Sequence, residues 1–502
     1  MRSWMRAHRR CLRWRERLIG ALRHARAGRR PGRAVDIRHV VVLMLENRSF
    51  DCMLGMLYPA GNRFAGLTGT ETNIWHKGDG TEHEIQVWTD ATLNSQSLCT
   101  PDPDPGELFT DIQMQIHGIA RNGNPNMSGF VDNYMRQTSR DPSPDPSSVM
   151  HYFTPDHVPV LAGLARAFGV SDCWHASAPC QTWANRFFVH TGTAGGFVNN
   201  TPTHFPYLME TVFNRLSGVH QEWRIYFHDI PQAATLARLW GALVTRFRHY
   251  EQDFARDAAS GNLPAYSFIE PRYFPDRALG KAPTDQHPPH NVLYGEALIA
   301  SVYNAVRSGP GWNNTLLVIT YDEHGGCYDH VVPPPATPPG GPNRDGFDFS
   351  SFGVRVPAVI VSPYVRAGSV IRPAGPTPFD HTSIIATLRM LYGFEPLTPR
   401  DAAAPDLLGA LQPEADNNGP PAVAEPSIAD EPDVIAAAAA RPPNNLQTSL
   451  SSAALSLPTA AADIAAHIRQ MSTAPDAVAK HDTAGSAATG IAAHVRAFLG
   501  RS

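Results

Sequence analysis

The strand-like run Thr315-Leu-Leu-Val-Ile-Thr-Tyr321 passes directly into Asp322-Glu323-His324-Gly325-Gly326, and this junction limits the possible folds more than any other stretch. Apolar and β-branched residues bounded by Asn313-Asn314 on one side and Gly325-Gly326 on the other read as a strand buried on both faces. Two adjacent carboxylates therefore arrive at its end, which is where open α/β sheets carry their chemistry. Neighbouring side chains on a strand point to opposite faces. Asp322 and Glu323 converge on one ion only if the chain turns there, as Gly325 and Gly326 permit. Hard oxygen ligands at a sheet edge suit a divalent cation. The alternative is an acidic strand end that caps a helix.

The rest of the chain repeats the same alternation. Val40–Leu45 reads as a second buried strand, and Glu46-Asn47-Arg48-Ser49-Phe50-Asp51 as its turn into a helix through Leu57. Helical patterns follow at Pro159–Phe168, 291–308 and Thr382–Leu391, with another buried strand at Val356–Val361. Strands alternating with helices predict an α/β fold, with a mostly parallel central sheet covered on both faces. Residues 60–110, rich in Gly, Thr, Asp and Pro, read as excursions above that sheet. The expected organisation is a basic leader at 1–36, a catalytic domain at 37–410, a Pro/Ala-rich linker at 411–460 that buries no core, and a short Ala-rich helical appendage at 461–502. In the appendage Ile464-Ala-Ala-His-Ile-Arg469 is echoed by Ile491-Ala-Ala-His-Val-Arg496.

Charge is unevenly spread. Residues 1–33 hold twelve arginines and one acid, Glu16; removing them from totals of 42 basic and 46 acidic residues leaves 30 against 45. A body that acidic excludes a uniformly basic nucleic-acid binder. Within the leader, Trp4, Ala7, Cys11, Trp14, Leu18, Ala21 and Ala25 form an apolar stripe, so residues 1–30 suit peripheral contact with an anionic membrane; a solvated basic tail explains them equally well. Leu18–Leu22 is too short for a signal-peptide core, and no run of roughly 18 apolar residues exists for a spanning helix. A cytoplasmic or peripheral-membrane protein is the expectation, with export left open. The six cysteines form no CxxC pair; Cys173 and Cys180 either bridge or remain free.

Four segments place polar residues at element ends, and together they describe metal-assisted attack on phosphorus. Glu46, Asn47, Asp322 and Glu323 supply oxygen ligands to a divalent cation of unknown identity. Thr182, at a helix start, is the candidate nucleophile, although the same residue could be an ordinary N-cap. Backbone N–H groups there, with Asn185, would receive the phosphoryl oxygens. His287, in His287-Pro288-Pro289-His290, would bind the phosphoryl group or protonate the departing oxygen. His290 and His381 are further candidates for the substrate rim, each with a structural alternative.

Glu46-Asn-Arg-Ser-Phe-Asp51, Thr182-Trp-Ala-Asn185-Arg186, His287-Pro-Pro-His290 and Tyr321-Asp-Glu-His-Gly-Gly-Cys-Tyr-Asp-His330 resemble the motifs of the phosphoesterase family of bacterial and plant non-specific phospholipases C and related acid phosphatases. The resemblance runs from about Val40 to Leu391. It implies an alkaline-phosphatase-like fold, metal ligands at Glu46, Asn47, Asp322 and Glu323, a nucleophile at Thr182, and a phospholipid or other phosphate ester as substrate. The Ala178-Pro-Cys-Gln-Thr182 context is similar to the phospholipase branch, which implies phospholipase C-type cleavage through a phosphothreonine intermediate. A broad phosphomonoesterase and a weakened membrane-associated binding protein are the competing readings. In Asp102-Pro-Asp-Pro-Gly-Glu107 the phospholipase pattern has histidine where this chain has Glu107. Either Glu107 helps hold a cation, or His117 reaches in, or the activity is weakened or redirected.

Overall fold

A computed structural model describes residues 35–120, 123–137, 144–428, 431–458 and 480–499. The leader through residue 34 and the Ile464–Arg469 half of the repeat lie outside the described residues. An eight-stranded sheet organises the molecule. In chain order its strands are β1 (His39–Leu45), β4 (Gly169–Ser171), β5 (Trp223–Phe227), β6 (Phe247–His249), β7 (Tyr266–Ile269), β8 (Thr315–Tyr321), β9 (Ala358–Val361) and β10 (Ser369–Val370). A separate hairpin of β2 (Thr72–His76) and β3 (Glu82–Gln86) lies within the excursion expected over residues 60–110.

The sheet order is β10-β4-β9-β8-β1-β7-β5-β6, and only β9 runs antiparallel to its neighbours. The predominantly parallel α/β architecture is therefore the observed one. β1 and β8 lie side by side at the centre, buried on both faces except at His39, which is why each reads as an unbroken apolar run.

Helices pack on the sheet through one continuous core that includes Leu161, Leu164, Phe187, Leu298, Val302 and Leu388. Glu296, on the helix Val292–Ser308, crosses to the start of the helix Pro159–Ala167. Its carboxylate accepts the Val160 N–H at 2.5 Å and the Leu161 N–H at 3.2 Å. Two of the helix's unpaired first-turn donors are thus satisfied from a distant element.

The linker expectation fails for residues 431–458. Helices span Glu431–Ala440 and Asn445–Leu455, and Leu446, Leu450 and Leu457 join the main core. Average composition hid this because Pro442 and Pro443 fall between the helices, while the leucines recur at near-helical spacing behind a capping box of Asn444 and Gln447. The helix Ala484–Phe498 packs on the same core through Ala487, Ile491, Val495 and Phe498, so this half of the repeat is not a detached appendage. Cys52, Cys99, Cys173, Cys180 and Cys327 are all free thiols, so Cys173 and Cys180 do not bridge. Among the described residues no helix is long and apolar enough to cross a membrane.

Burial lifts the Glu296 carboxyl from 4.5 to about 8, against the pull of the two N–H donors. The acid is thus protonated in the fold at pH values where the unfolded chain ionises. Its contribution to stability is complete below 4.5 and is lost as pH rises to about 8. Glu296→Gln should flatten this decline, read as denaturant midpoints at about pH 5 and about pH 8. Equal slopes in both proteins would overturn the assignment.

Candidate active site

β1 and β8 pair in parallel through Leu45 and Tyr321, so the residues that follow them leave the sheet at one edge. Glu46-Asn47 and Asp322-Glu323 are those residues, and all four are fully buried. Asn47 turns the chain with φ 54°, a left-handed conformation that asparagine tolerates better than bulkier residues. Its N–H donates to Asp322 Oδ1 at 2.9 Å, which ties the two strand ends together. Gly325 (φ 59°) completes the second turn; a Cβ there would stand 2.2 Å from the Asn47 carbonyl oxygen. Both the left-handed φ and this close approach require glycine.

Thr182 opens the helix Thr182–Thr191 and points its hydroxyl at the same edge. That hydroxyl lies 3.1 Å from Glu46 Oε2 and 3.3 Å from Asn47 Oδ1. One turn along, Arg186 donates from Nε to Glu46 Oε1 at 2.8 Å and from a terminal nitrogen to the Met44 carbonyl at 2.9 Å. Arg186 was quoted in the motif without a role. Its i+4 spacing from Thr182 places both side chains on one helix face, and that spacing was the available signal.

The third side of the site comes from the 100–107 and 285–290 loops. The Asn47 side-chain amide donates to Glu107 Oε1 at 2.7 Å and Glu323 Oε1 at 3.1 Å, and it lies 3.1 Å from His287 Nε2. His287 Nε2 is also 3.1 Å from Glu107 Oε1, and its Nδ1 is 3.7 Å from Asp104 Oδ1. Asn444, from the segment expected to be a linker, sits over this imidazole at 3.3 Å.

The electrostatics follow from burial. Desolvation raises the Glu46 carboxyl, Arg186 pulls it down, and Asp322 adds to the rise. Glu323 is pushed well above the usual carboxylate range by burial and then by the adjacent Asp322. Burial disfavours a charged His287, but Glu107 and Asp104 outweigh it and hold the ring well above the usual imidazole value.

Asp322 Oδ2 tests whether a cation fits here. It is buried, and it has no hydrogen-bond partner among the described residues, while Oδ1 already accepts two backbone N–H groups. A carboxylate oxygen in that position is costly unless a cation meets it. Glu46, Asn47 and Glu323 place further oxygens nearby, donors of the kind hard divalent ions take.

Several expected side chains are employed elsewhere. The Asn185 amide is consumed by the 178–181 turn: it accepts the Ala178 N–H at 3.1 Å and donates to the Cys180 carbonyl at 2.7 Å, so it offers nothing to substrate. His290 pairs with Asp285 at 2.6 Å and lines a separate cavity of about 460 Å³ with Asp102, Tyr294 and Arg441. His381 is buried rather than on a rim. Its Nε2–H donates to the Asp322 carbonyl at 2.6 Å and its Nδ1 accepts from Trp174 at 3.3 Å, so it steadies the ligand loop. His117 faces the Gly123 carbonyl on the surface and does not reach in. Asp329 and His330 join Asp51 and the buried Arg355 in an ion network at 2.6–3.0 Å that pins the loop after Gly326.

Residues 37–395 match the model of the phosphoesterase family. The chain belongs to that family. Relatives include non-specific phospholipase C6 of Arabidopsis thaliana, 39% identical over 73% of this chain and 71% of the relative. Non-specific phospholipase C1 of the same plant is 40% identical over 73% and 69%. Phospholipase C A of Mycobacterium tuberculosis is 28% identical over 73% and 75%. Among solved structures, the lipoteichoic acid synthase LtaP from Listeria monocytogenes superposes with a TM-score of 0.36 at 12% identity, over 84% of this chain and 93% of that one. A protein of the alkaline phosphatase superfamily from Vibrio parahaemolyticus gives 0.30 at 13% identity, over 49% and 64%. At such scores the architecture rests on the sheet described above. This phosphoesterase is a hydrolase acting on ester bonds.

Because Glu46 and Arg186 are both wholly buried, removing one partner strands the other charge. Arg186→Met in the phosphoesterase is expected to cost about 3–5 kcal/mol of stability by denaturant unfolding. A loss below about 1 kcal/mol would show that the pair does not hold this edge together.

Proposed function

We propose that this phosphoesterase performs phospholipase C-type hydrolysis with Thr182 as nucleophile. The observation that carries the reading is the Thr182 hydroxyl, 3.1 Å from Glu46 and 3.3 Å from Asn47, beside the orphaned oxygen of Asp322. Glu46, Asn47, Asp322 and Glu323 would hold a divalent cation, which when bound would lower the pKa of a nearby hydroxyl and offset phosphoryl charge. The names of the plant and mycobacterial relatives favour a phospholipid diester as substrate.

The chain's own groups then divide the work. Glu46 Oε2 orients the Thr182 hydroxyl and receives its hydrogen bond, while Arg186 on the other oxygen keeps the carboxylate in place. The dipole of the helix Thr182–Thr191 favours an anion at its start, with the Trp183 N–H already taken by Asn200 Oδ1 at 2.7 Å. The Thr182 hydroxyl proton passes to Glu46 Oε2 while the threonine oxygen bonds to phosphorus and the bond from phosphorus to the diacylglycerol oxygen breaks. The head-group phosphate is left on threonine, and the departing alkoxide takes a proton. His287, facing this centre with Nε2, is the group placed to bind the phosphoryl oxygens or give that proton. Water then cleaves the phosphothreonine ester and frees the phosphorylated head group.

Turnover of a phosphatidylcholine diester should exceed turnover of a simple aryl phosphate monoester. The reverse order would assign a phosphomonoesterase, and inactivity on both would favour a binding protein. Thr182→Ala should lose at least about 10³-fold in kcat with an unchanged circular dichroism spectrum. Wild-type-like rates would place the nucleophile elsewhere. Exhaustive chelation should abolish turnover and a divalent ion restore it; full activity in metal-free protein would remove the cation from the scheme.

A further inference from the structure

Beside the four oxygen ligands lies a second group of donors. One ligand atom each from Asp104, Glu107 and His287 falls within 4.8 Å of the other two, and all three residues are buried. Glu107 closes the segment Asp102-Pro-Asp-Pro-Gly-Glu107, so two of the three donors come from one short loop. Glu107 Oε1 accepts from the Asn47 amide at 2.7 Å. Its other oxygen, Oε2, is buried and has no hydrogen-bond partner among the described residues.

We propose that Asp104, Glu107 and His287 form a second divalent-cation site, so that this phosphoesterase holds two ions at its centre. Charge supports the count. Ionised, Glu46, Asp104, Glu107, Asp322 and Glu323 bring five negative charges, and Arg186 against Glu46 returns one. One divalent ion beside a protonated His287 leaves a net charge of about −1, and two ions with the ring neutral, as a ligand must be, leave none.

The donors also define the class of ion. Two carboxylates and an imidazole suit a borderline transition ion such as zinc or manganese, whereas the all-oxygen set at Glu46, Asn47, Asp322 and Glu323 also accepts harder ions. Asn47, in contact with Glu107, Glu323 and His287, stands between the two sets and would keep them apart. In the two-ion form His287 would serve as a ligand, and a cation would offset charge on the departing oxygen, which would take its proton from water instead of from the ring. This role rests on the proposed phosphoester hydrolysis; the existence of the site does not.

The test counts ions. Full-length protein is stripped by chelation, reloaded with zinc or manganese alone, desalted, and measured by inductively coupled plasma mass spectrometry. Wild type should retain about two ions per chain, Glu107→Gln about one, and the double variant Glu107→Gln with Asp322→Asn essentially none. Glu107→Leu, which removes the donor without supplying another, should also bind about one, and it serves if the glutamine variant misfolds. About one ion in wild type, or about two in both Glu107 variants, would overturn the second site. A two-ion protein inactive on phosphoesters would sink the functional reading and leave the site standing; an active one-ion wild type would do the opposite.

Discussion

Parallel pairing of β1 and β8 is the constraint on which the rest of the centre depends. From His39 opposite Thr315 to Leu45 opposite Tyr321 the register holds without interruption, and both strands end at one level. Side chains alternate faces along a strand, so a slip of one residue would turn the donors of one pair away from the other. Near-complete burial of both strands resists such a slip. The left-handed turn at Asn47 and the glycine turn at Gly325 then bring side chains from opposite faces of the sheet to one point.

Concentrating carboxylates there sets a second problem, and the helix that carries Thr182 solves part of it. Arg186 fixes one oxygen of Glu46 and two main-chain carbonyls next to it, which leaves the other oxygen for the Thr182 hydroxyl. The proposed nucleophile and the counter-charge therefore share one rigid element and move together. His381 and Arg355 play comparable parts farther out, the first on the Asp322 carbonyl and the second on the Asp51–Asp329 network. None of the three needs contact with substrate to fix where the reacting groups stand.

The central strands, the alternation with helices and the gathering of Glu46, Asn47, Asp322 and Glu323 at one end of the sheet were legible in the sequence because each is a local pattern: an apolar run, then acids, then glycine or a cap. Asp322-Glu323 before Gly325-Gly326 is the clearest instance. What stayed hidden depends on partners far along the chain. Asn185 and His290 have side chains suited to phosphate, yet the 178–181 turn and Asp285 claim them, and no spacing rule reveals that competition. His381 was visible as a histidine before a helix, but only the fold shows its ring turned inward to the main chain of Asp322. The C-terminal helices were lost to averaging, since proline and alanine dominate residues 413–445 while Leu446, Leu450 and Leu457 carry the burial.

The hydrogen bond from Asn47 to Asp322 closes a loop of 275 positions, and that from Thr182 to Glu46 spans 136. During synthesis the first strand and its Glu46-Asn47 turn leave the ribosome long before the residues that complete them. A nascent or prematurely terminated chain ending before Asp322 has only half of the cradle, whatever else it has folded. Under the proposed chemistry, hydrolytic competence is thus withheld by the order of the polypeptide itself and arrives together with the finished sheet.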